Sequence, residues 1–330
     1  MNSLPSMSYI DKPRILIVAP FAKPEMTSWL ILKAFHDVGI QAEKFDYRTL
    51  GIEYGIDEMN AMLRDNLSSL PSASVVLIIK GDWIKARTLF GMWHLLRALW
   101  IFDFDSFQPH DYLYQLGRVV SLVFLMCEPW VEKLRSAGIN AHFLPQATDS
   151  EIYRPVPTEK LFDVGFIGSN KPGRAEILER IRKKFKLGVW GEDWQGTDFK
   201  PGVPAYLENF SLACSQSKIL LNITASPDWP IYPKTFSQRI YMAASCSSCI
   251  LTDEVPGIEE FFSPSSEILT YKNETLISQI SNLLSNEDRL SSIGEAARRK
   301  VLIKHQYFHR LRRMFLCLGL LLSVLRNSPA

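Results

Sequence analysis

Short apolar runs alternate with amphipathic segments along almost the whole chain, and this alternation limits the folds available to it. Residues 14–20 (RILIVAP) predict a buried strand, and residues 28–39 predict a helix ended by Gly39. Further strands are predicted at 42–47, 75–81, 99–103, 119–126 and 142–146, and further helices at 56–70, 86–98 and 129–138. Since parallel strands need a crossover that covers the sheet, this rhythm predicts parallel β-α units.

A proline-rich break at 144–160 interrupts the rhythm, and a second series of the same kind follows. Strands are predicted at 163–168, 218–223, 249–252 and 267–271, and helices at 175–185, 205–216, 236–245 and 274–285. A chain of 330 residues also exceeds the usual size of one hydrophobic core. We therefore predict an α/β protein with two Rossmann-like, doubly wound parallel-sheet domains facing a central cleft, where the carboxyl ends of the strands bind ligands.

Composition excludes several functional classes. The chain has 37 basic and 35 acidic side chains, a net charge of +2, which gives no reason to expect nucleic acid as a partner. An odd number of cysteines, five, argues against a disulfide framework and favours a reducing compartment. Residues 1–14 lack the apolar stretch of a secretory signal, and the apolar runs at 95–102 and 314–325 are too short to span a bilayer. These features predict a cytoplasmic protein.

The loop at 168–174 (GSNKPGR) is the first candidate for a ligand site. It leaves a predicted strand and enters a predicted helix, so its small residues and the free N–H groups of the helix could receive a phosphate beside Lys171 and Arg174. The alternative is an ordinary capping loop with solvated basic residues. Neither GxxxxGK[ST] nor GxGxxG occurs at the expected place, which argues against P-loop enzymes, kinases and NAD-dependent dehydrogenases.

Other chemistry-bearing residues give weaker signals. Asp103 and Asp105 match the DxD string that holds a divalent cation in some transferases, but polar residues at a strand end explain the string better, and we predict no metal. His110 could be a base or a solvated loop residue. The CxxC at 246–249 lacks further zinc ligands, which favours buried small residues in a turn. The pair His305 and His309 is predicted to lie on the surface.

From residue 163 to 310 the chain resembles the CgeB-like (spore-maturation-protein-like) glycosyltransferases, which are related to group 1 glycosyltransferases. The segments that carry this resemblance are, in order, DVGFIGS with Arg174, LGVWGEDW, SKILLNI, QRIYMAAS, CILTD, GIEEFF, EILTY and GEAARRKVLIKHQYFHR. The first half is similar more loosely, through VVLIIKG, LWIFD and FLPQATDSEIYRP. The resemblance implies a bacterial protein of the GT-B fold.

The resemblance also implies a function and a set of residues. A GT-B protein of this type takes a sugar from a nucleotide-diphosphate donor, its co-substrate, and needs no further cofactor; the family implies hexosyl transfer with retention and without metal. The acceptor is a saccharide, a lipid-linked molecule or a protein. The implied catalytic residues facing the diphosphate are Arg239 and Lys218. Implied donor-binding residues are Gly168, Ser169, Arg174, Trp190, Gly191, Asn222 and Tyr241, and the acceptor-side residues are Phe21, Gly81, Asp103, Asp105 and His110.

Three positions depart from the family pattern. Relatives carry Glu where this chain has Met242, an acid that grips the ribose hydroxyls, and group 1 transferases often have another acid where Lys234 stands. Ser247 replaces a common glycine. Because a thioether is a poor acceptor for a ribose diol, either the donor is held differently or the site is degenerate. A non-catalytic binding or scaffold subunit of a glycan-assembly complex is thus the alternative to an active transferase.

The chain is expected to divide into an acceptor-side domain at 1–150, a nucleotide-sugar-binding domain at 151–305 and a C-terminal helix at 306–330. The last segment places Arg310, Arg312 and Arg313 before a dozen apolar residues. Such a helix can return to the N-terminal domain, as GT-B proteins often show, or lie on an anionic membrane surface as a peripheral contact at its inner face. The sequence leaves both alternatives open.

Overall fold

A computed structural model of the protein describes residues 14–102, 111–199, 202, 204–223 and 232–319. The chain divides into two compact units. The first contains Met1–Pro145 together with Arg310–Ala330, and the second contains Gln146–His309. Each unit has one parallel sheet with its own apolar core.

The first unit is built on a six-stranded parallel sheet in the order β2-β1-β3-β4-β5-β6. Its strands are β1 (Ile15–Ala19), β2 (Ala42–Asp46), β3 (Val75–Ile79), β4 (Leu96–Ile101), β5 (Leu122–Leu125) and β6 (Ala141–Phe143). Every residue of β1 and β3 is buried, because helices cover both faces of the sheet at its centre. The edge strand β2 instead exposes Glu43 and Lys44.

Among the described residues of the first unit, six helices connect these strands. They are α1 (Thr27–Asp37), α2 (Tyr47–Tyr54), α3 (Ile56–Ser68), α4 (Ala86–Leu89), α5 (Asp111–Gly117) and α6 (Glu128–Ser136). Asp46 caps α2, where its side chain accepts a hydrogen bond from the amide of Thr49 at 3.1 Å. One cluster of buried Leu, Ile, Val, Met and Tyr side chains joins α3, α5 and α6 to the sheet.

The second unit has a five-stranded parallel sheet in the order β11-β10-β9-β7-β8. The strands are β7 (Phe162–Ile167), β8 (Leu187–Trp190), β9 (Ser217–Asn222), β10 (Cys249–Asp253) and β11 (Leu269–Tyr271). In the part of this unit that the structure describes, five α-helices begin and end: α7 (Arg174–Arg182), α8 (Glu208–Gln216), α9 (Gln238–Ser245), α10 (Leu276–Leu284) and α11 (Glu287–Lys304). The two predicted doubly wound parallel sheets are therefore confirmed.

Two predictions of local structure are wrong. The helix expected at 86–98 ends at Leu89, because Gly91 has a positive φ of 85° and the residues from Leu96 pair as a strand with β3 and β5. His305 is buried, not on the surface: one ring nitrogen contacts the carbonyl oxygen of Phe261 at 3.0 Å. An imidazole ring has apolar faces, so it can pack in a core when its nitrogens are hydrogen-bonded.

The last helix, α12 (Tyr307–Cys317), carries the chain back to the first unit. Phe315 packs edge-to-face against Phe35 of α1, with ring centroids 5.8 Å apart, and Arg310 donates through Nε to the carbonyl oxygen of Pro145 at 3.1 Å. Leu311 and Met314 are buried as well. The apolar face at the start of the tail thus packs within the first unit. Within the described residues, no helix combines the length and apolar character needed to cross a bilayer.

Candidate functional site

The second sheet has a topological switch point between β7 and β9. From β7 the chain first moves to β8 on one side and then crosses to β9 on the other, so the loops after β7 and β9 diverge. Such divergence leaves a crevice at the carboxyl ends of parallel strands, where α/β proteins bind ligands. The residues that follow these strand ends are Gly168 and Ser169 after β7 and Ile223 after β9.

Arg174 occupies this edge of the sheet. It begins α7, but its buried side chain turns toward the strand ends, where the guanidinium donates to the carbonyl oxygens of Ser169 at 2.8 Å and Ile223 at 2.9 Å. Its Nε is buried and makes no hydrogen bond to the described residues. The guanidinium also lies 5.6 Å from the ring centroid of Phe166. Arg174 therefore links the loops after β7 and β9 while it brings positive charge to the switch point.

Arg239 brings a second positive charge to the same place from α9. The guanidinium lies 5.4 Å from the ring centroid of Phe166, and its Nη1 donates to Oδ1 of Asn222 at 3.0 Å. Its Nη2 faces the backbone of Gly168, where an added Cβ would lie only 2.7 Å away. Ser237 caps α9, since its hydroxyl accepts from the amide of Arg239 at 3.3 Å. The helix end and the arginine are thereby fixed together.

The two guanidinium groups share a poorly solvated environment. Burial lowers the pKa of Arg174, and burial together with repulsion from Arg174 lowers the pKa of Arg239 to about 9. Both side chains still carry their charge at neutral pH. The negative charge of Asp253 raises both pKa values in part. Neither arginine forms an ion pair with any carboxylate of the described residues. This arrangement favours an anion that would compensate two desolvated cations.

Close backbone contacts hold the loops around the arginines. Gly191, just after β8, has a φ of 143°, and a Cβ at this position would overlap the carbonyl group of Gly168. The amide of Gly168 donates to the carbonyl oxygen of Trp190 at 2.7 Å, and the buried Trp194 donates through Nε1 to the carbonyl oxygen of Gly168 at 3.1 Å. Glycine at position 191 is thus required for the loops after β7 and β8 to approach so closely.

A chain of polar side chains runs from Arg239 away from the switch point. Asn222 accepts from Arg239 and donates through Nδ2 to Oγ1 of Thr252 at 2.9 Å, and this hydroxyl donates to Oδ1 of Asp253 at 3.0 Å. Asn222 and Thr252 are buried. Sequence reasoning noted CILTD only as a segment of resemblance and missed Thr252 and Asp253. Their position at the carboxyl end of β10 was the available signal, since polar residues there face the ligand edge.

The structure does not bring Lys218 to this site. Lys218 is the second residue of β9, near the amino end of a parallel sheet, and it forms an exposed ion pair with Glu287 at 2.8 Å. That hydrogen bond raises the pKa of Lys218. The resemblance placed it beside the diphosphate, but ligands gather at the opposite end of the strands. The predicted role is corrected to a surface charge.

Trp190 and Tyr241 pack away from the arginines as well. The ring of Trp190 lies on the sheet, where a Cβ added at Gly188 would overlap it, and meets Phe162 edge-to-face with ring centroids 5.2 Å apart. Tyr241 is buried among aromatic side chains, with Phe236 at 5.3 Å and His305 at 5.2 Å between ring centroids. It lies two residues after Arg239, which directs it to another side of the helix. The expected donor contacts of both residues are corrected to packing within the fold.

Two of the positions that depart from the resembled family, Met242 and Lys234, lie within five residues of Arg239 in the sequence. Met242 follows it by three residues, on a neighbouring part of the α9 surface, and is half-buried. Lys234 has a positive φ of 59°; its amide donates to the carbonyl oxygen of Pro256 at 2.7 Å, and its Nζ pairs with Glu260 at 2.7 Å. Lys234 is therefore engaged with the loop after β10.

In the first unit, the predicted acceptor-side residues Phe21 and Gly81 follow β1 and β3, the two strands at the switch point of that sheet. Gly81 has a φ of 78°, and its amide donates to the hydroxyl of Tyr47 at 3.3 Å, which in turn donates to Asp82 at 2.8 Å. Burial, followed by Asp82, raises the pKa of Tyr47 far above its ordinary value. Asp82, not foreseen from the sequence, also pairs with Arg48.

Three predicted residues, Asp103, Asp105 and His110, lie outside the described residues, so the DxD string has no structural account. In the part of the chain that the structure describes, no three His, Cys, Asp or Glu side chains gather closely enough to hold a metal ion. The cysteines of the CxxC, Cys246 and Cys249, are buried free thiols.

Comparison with known sequences gives one match. Residues 174–315, which are less than half of the chain, match the family model described as glycosyl transferase-like. This segment begins at Arg174 and includes Arg239, Asn222 and Asp253. No curated protein sequence matches the chain.

Solved structures match far more of the chain. HepE (Alr3699) from Anabaena, crystallised with UDP and glucose, has a TM-score of 0.65 at 11% identity over 93% of this chain and 100% of its own. The chain has the GT-B fold. Sucrose-phosphate synthase from Thermosynechococcus elongatus (TM-score 0.65, 10% identity, 96% and 100% coverage) and a glycosyltransferase from Rickettsia africae (0.63, 12%, 96% and 100%) share this fold. The predicted GT-B architecture is confirmed.

Proposed function

We propose that this GT-B protein is a glycosyltransferase that takes a sugar from a nucleoside-diphosphate donor. The observation that carries the proposal is the pair Arg174 and Arg239, two desolvated guanidinium groups at the switch point of the second sheet, neither of which forms an ion pair within the described residues. A diphosphate supplies the opposite charge that such a pair lacks, and planar guanidinium groups bind phosphate oxygens in a bidentate geometry.

The same geometry suits the chemistry of sugar transfer. When the bond between the anomeric carbon and the diphosphate oxygen breaks, negative charge develops on the leaving group. Arg174 and Arg239 are held before the reaction, by Ser169 and Asn222 respectively, so they can stabilise that charge without reorganisation. Because two protein cations already meet the diphosphate, the proposed transfer is metal-independent. We extend the proposal to a hexosyl donor and to retention of the anomeric configuration, as the CgeB-like resemblance implies.

The matched structures support the nucleotide-sugar donor. HepE was crystallised with UDP-glucose and with UDP, and the chain matches these complexes over 93% of its length. On this basis, a uridine nucleotide is the first donor to test. The first unit would present the acceptor, which we leave as a saccharide, a lipid-linked molecule or a protein. A cytoplasmic location, with peripheral contact at the membrane, belongs to the same proposal.

A second function, a non-catalytic binding subunit of a glycan-assembly complex, is favoured by one observation. Met242 lies one turn from Arg239 on α9, where relatives place a ribose-binding Glu, and Lys234 is engaged with Glu260. A protein of this kind would still bind a diphosphate at the two arginines. It would not release nucleotide from any sugar donor.

Isothermal titration calorimetry with UDP, GDP, ADP and TDP separates the outcomes. The full chain is compared with Arg239→Ala and, as a matched control, with Lys218→Ala, which removes a basic side chain from the other end of the sheet. We expect one nucleotide to bind the wild type and the Lys218→Ala variant equally, and Arg239→Ala far more weakly. If no nucleotide binds, or if Arg239→Ala binds as the wild type does, the proposed function is wrong.

Turnover then separates the transferase from the binding subunit. Release of nucleoside diphosphate from the corresponding sugar conjugates is measured with and without EDTA. Release that EDTA leaves unchanged supports metal-independent transfer, and release that EDTA abolishes contradicts metal independence. Tight binding without release from any conjugate, even with candidate acceptors present, favours the binding subunit.

A further inference from the structure

Four side chains in the second unit form one continuous line of hydrogen bonds. Nη1 of Arg239 donates to Asn222, Nδ2 of Asn222 donates to Thr252, and the hydroxyl of Thr252 donates to Asp253, at 3.0, 2.9 and 3.0 Å. Asn222 is the last residue of β9 and Thr252 the penultimate residue of β10, and the two lie opposite each other in the parallel register. The line therefore crosses the carboxyl edge of the sheet from the switch point to the loop after β10.

The chemistry of the two ends fixes the direction of every hydrogen bond between them. A guanidinium only donates and a carboxylate only accepts. The Thr252 hydroxyl therefore donates its hydrogen to Asp253, and the lone pairs of the hydroxyl oxygen remain free to accept from Nδ2 of Asn222. With Nδ2 on this side, the Asn222 amide turns Oδ1 toward Arg239. If the hydroxyl were missing, Nδ2 of Asn222 would lose this acceptor, and within the line only the guanidinium itself would keep Oδ1 turned toward Arg239.

The orientation of the Arg239 guanidinium depends on a fixed acceptor more than that of an ordinary arginine does. The Arg239 side chain has many rotamers and is repelled by Arg174, whose guanidinium lies near the same Phe166 ring. A desolvated guanidinium that turned away from Gly168 toward water would recover solvation free energy. An acceptor fixed at Oδ1 of Asn222 opposes that movement before any ligand arrives.

We propose that Thr252 is a positioning residue, anchored by Asp253, which orients the Asn222 amide and through it holds Arg239 ready for the diphosphate. This inference rests on the proposed function of the arginine site. Thr252 and Asp253 neither contact the diphosphate in this account nor form part of the predicted site. Thr252 acts only through Arg239, and this restriction makes the proposal testable.

The test is a double-mutant cycle on the full chain. Thr252→Val keeps the shape of the side chain and removes the hydroxyl, whereas Thr252→Ser keeps the hydroxyl and removes a methyl group. Dissociation constants are measured for the nucleoside diphosphate that binds best among UDP, GDP, ADP and TDP. Each variant is made with Arg239 intact and with Arg239→Ala, and circular dichroism with urea unfolding confirms that it is folded.

With Arg239 intact, we expect Thr252→Val to weaken binding by about five- to twentyfold and Thr252→Ser by less than about threefold. With Arg239→Ala, Thr252→Val should change the dissociation constant by less than about twofold. An effect of the same size in both backgrounds would show a general structural role and overturn the proposal. If Thr252→Val does not fold, Thr252→Ala takes its place with the same expectations.

The proposed function and the positioning role fail differently. If Arg239→Ala weakens binding and Thr252→Val does not, only the positioning role is wrong. If the wild type binds no nucleotide, or Arg239→Ala has no effect, both are wrong, because there is then no diphosphate contact for Thr252 to support.

Discussion

Replacement of Gly191 by alanine tests the backbone contact on which the arginine site depends. Gly191 combines a φ of 143° with a position at which a Cβ would overlap the carbonyl group of Gly168. Neither atom of that carbonyl can move as a side-chain end can, so the loops after β7 and β8 must separate. Gly196 provides a matched control: it lies in the same loop with a φ of 78°, but a Cβ there would have no atom within 4 Å.

The expected magnitudes follow from these two geometries. A backbone conformation that alanine rarely adopts costs about 1–3 kcal/mol, and overpacking against fixed atoms adds about 1–3 kcal/mol. Gly191→Ala should therefore lower the free energy of unfolding by about 2–6 kcal/mol. Gly196→Ala has the conformational cost alone, about 1–2 kcal/mol. For a unit of this size, each kcal/mol corresponds to about 2–4 °C in Tm.

Urea unfolding followed by tryptophan fluorescence measures the difference, because Trp190 and Trp194 flank this contact. Nucleoside diphosphate affinity is measured on the folded variants at low temperature, where Gly191→Ala should also bind more weakly, since Gly168 lies between Gly191 and the Arg239 guanidinium. A Gly191→Ala protein as stable as Gly196→Ala would refute the argument. The loops would then not be held by this contact.

Three further predictions address single residues. Gly168→Ala places a Cβ 2.7 Å from Nη2 of Arg239, a flexible side-chain end; nucleotide affinity should fall about tenfold with little loss of stability, and a titration that matches wild type would contradict the placement of Arg239. Lys218→Ala should change the free energy of unfolding by less than about 1 kcal/mol, because its ion pair with Glu287 is exposed; lost turnover in this folded variant would restore its predicted catalytic role. Tyr241→Ala should cost about 3–5 kcal/mol of stability in denaturant titrations because the ring is fully buried, and a loss below 1 kcal/mol would show that the ring is not part of the core.

Much of the fold could be predicted from the sequence because parallel β-α units leave a strong pattern. Buried strands such as β1 and β3 are continuous apolar runs, and their helices carry apolar residues at helical spacing. The error at 86–98 has a physical cause. Apolar residues at that place suit a helix or a buried strand equally, and pairing with β3 and β5 decided the outcome from Leu96 onward.

The site was predicted only in part, for a similar reason. Arg174, Arg239, Gly168, Gly191 and Asn222 lie in segments of family resemblance, and the structure brings these five together. Lys218 lies in such a segment too, but a motif does not say which end of a strand its residues occupy. The line from Asn222 to Asp253 depends on the register of β9 with β10, which places Asn222 opposite Thr252 although the two are 30 positions apart. Nothing in the local sequence specifies that register.

Under the proposed function, Met242 and Lys234 affect how strongly a donor is held more than where its diphosphate lies. Arg174 and Arg239 also serve the fold, through the carbonyl groups of the loops after β7 and β9 and through Asn222. Substitution of either arginine would therefore disturb the loops as well as the ligand. A ribose-binding acid has no such second role, and its loss removes hydrogen bonds worth about 1.5–3 kcal/mol, roughly ten- to 150-fold in affinity. A protein that has lost the acid and kept the arginines would bind a nucleoside diphosphate mainly through its phosphates, so weak discrimination by the ribose would not by itself mean that the transferase is inactive.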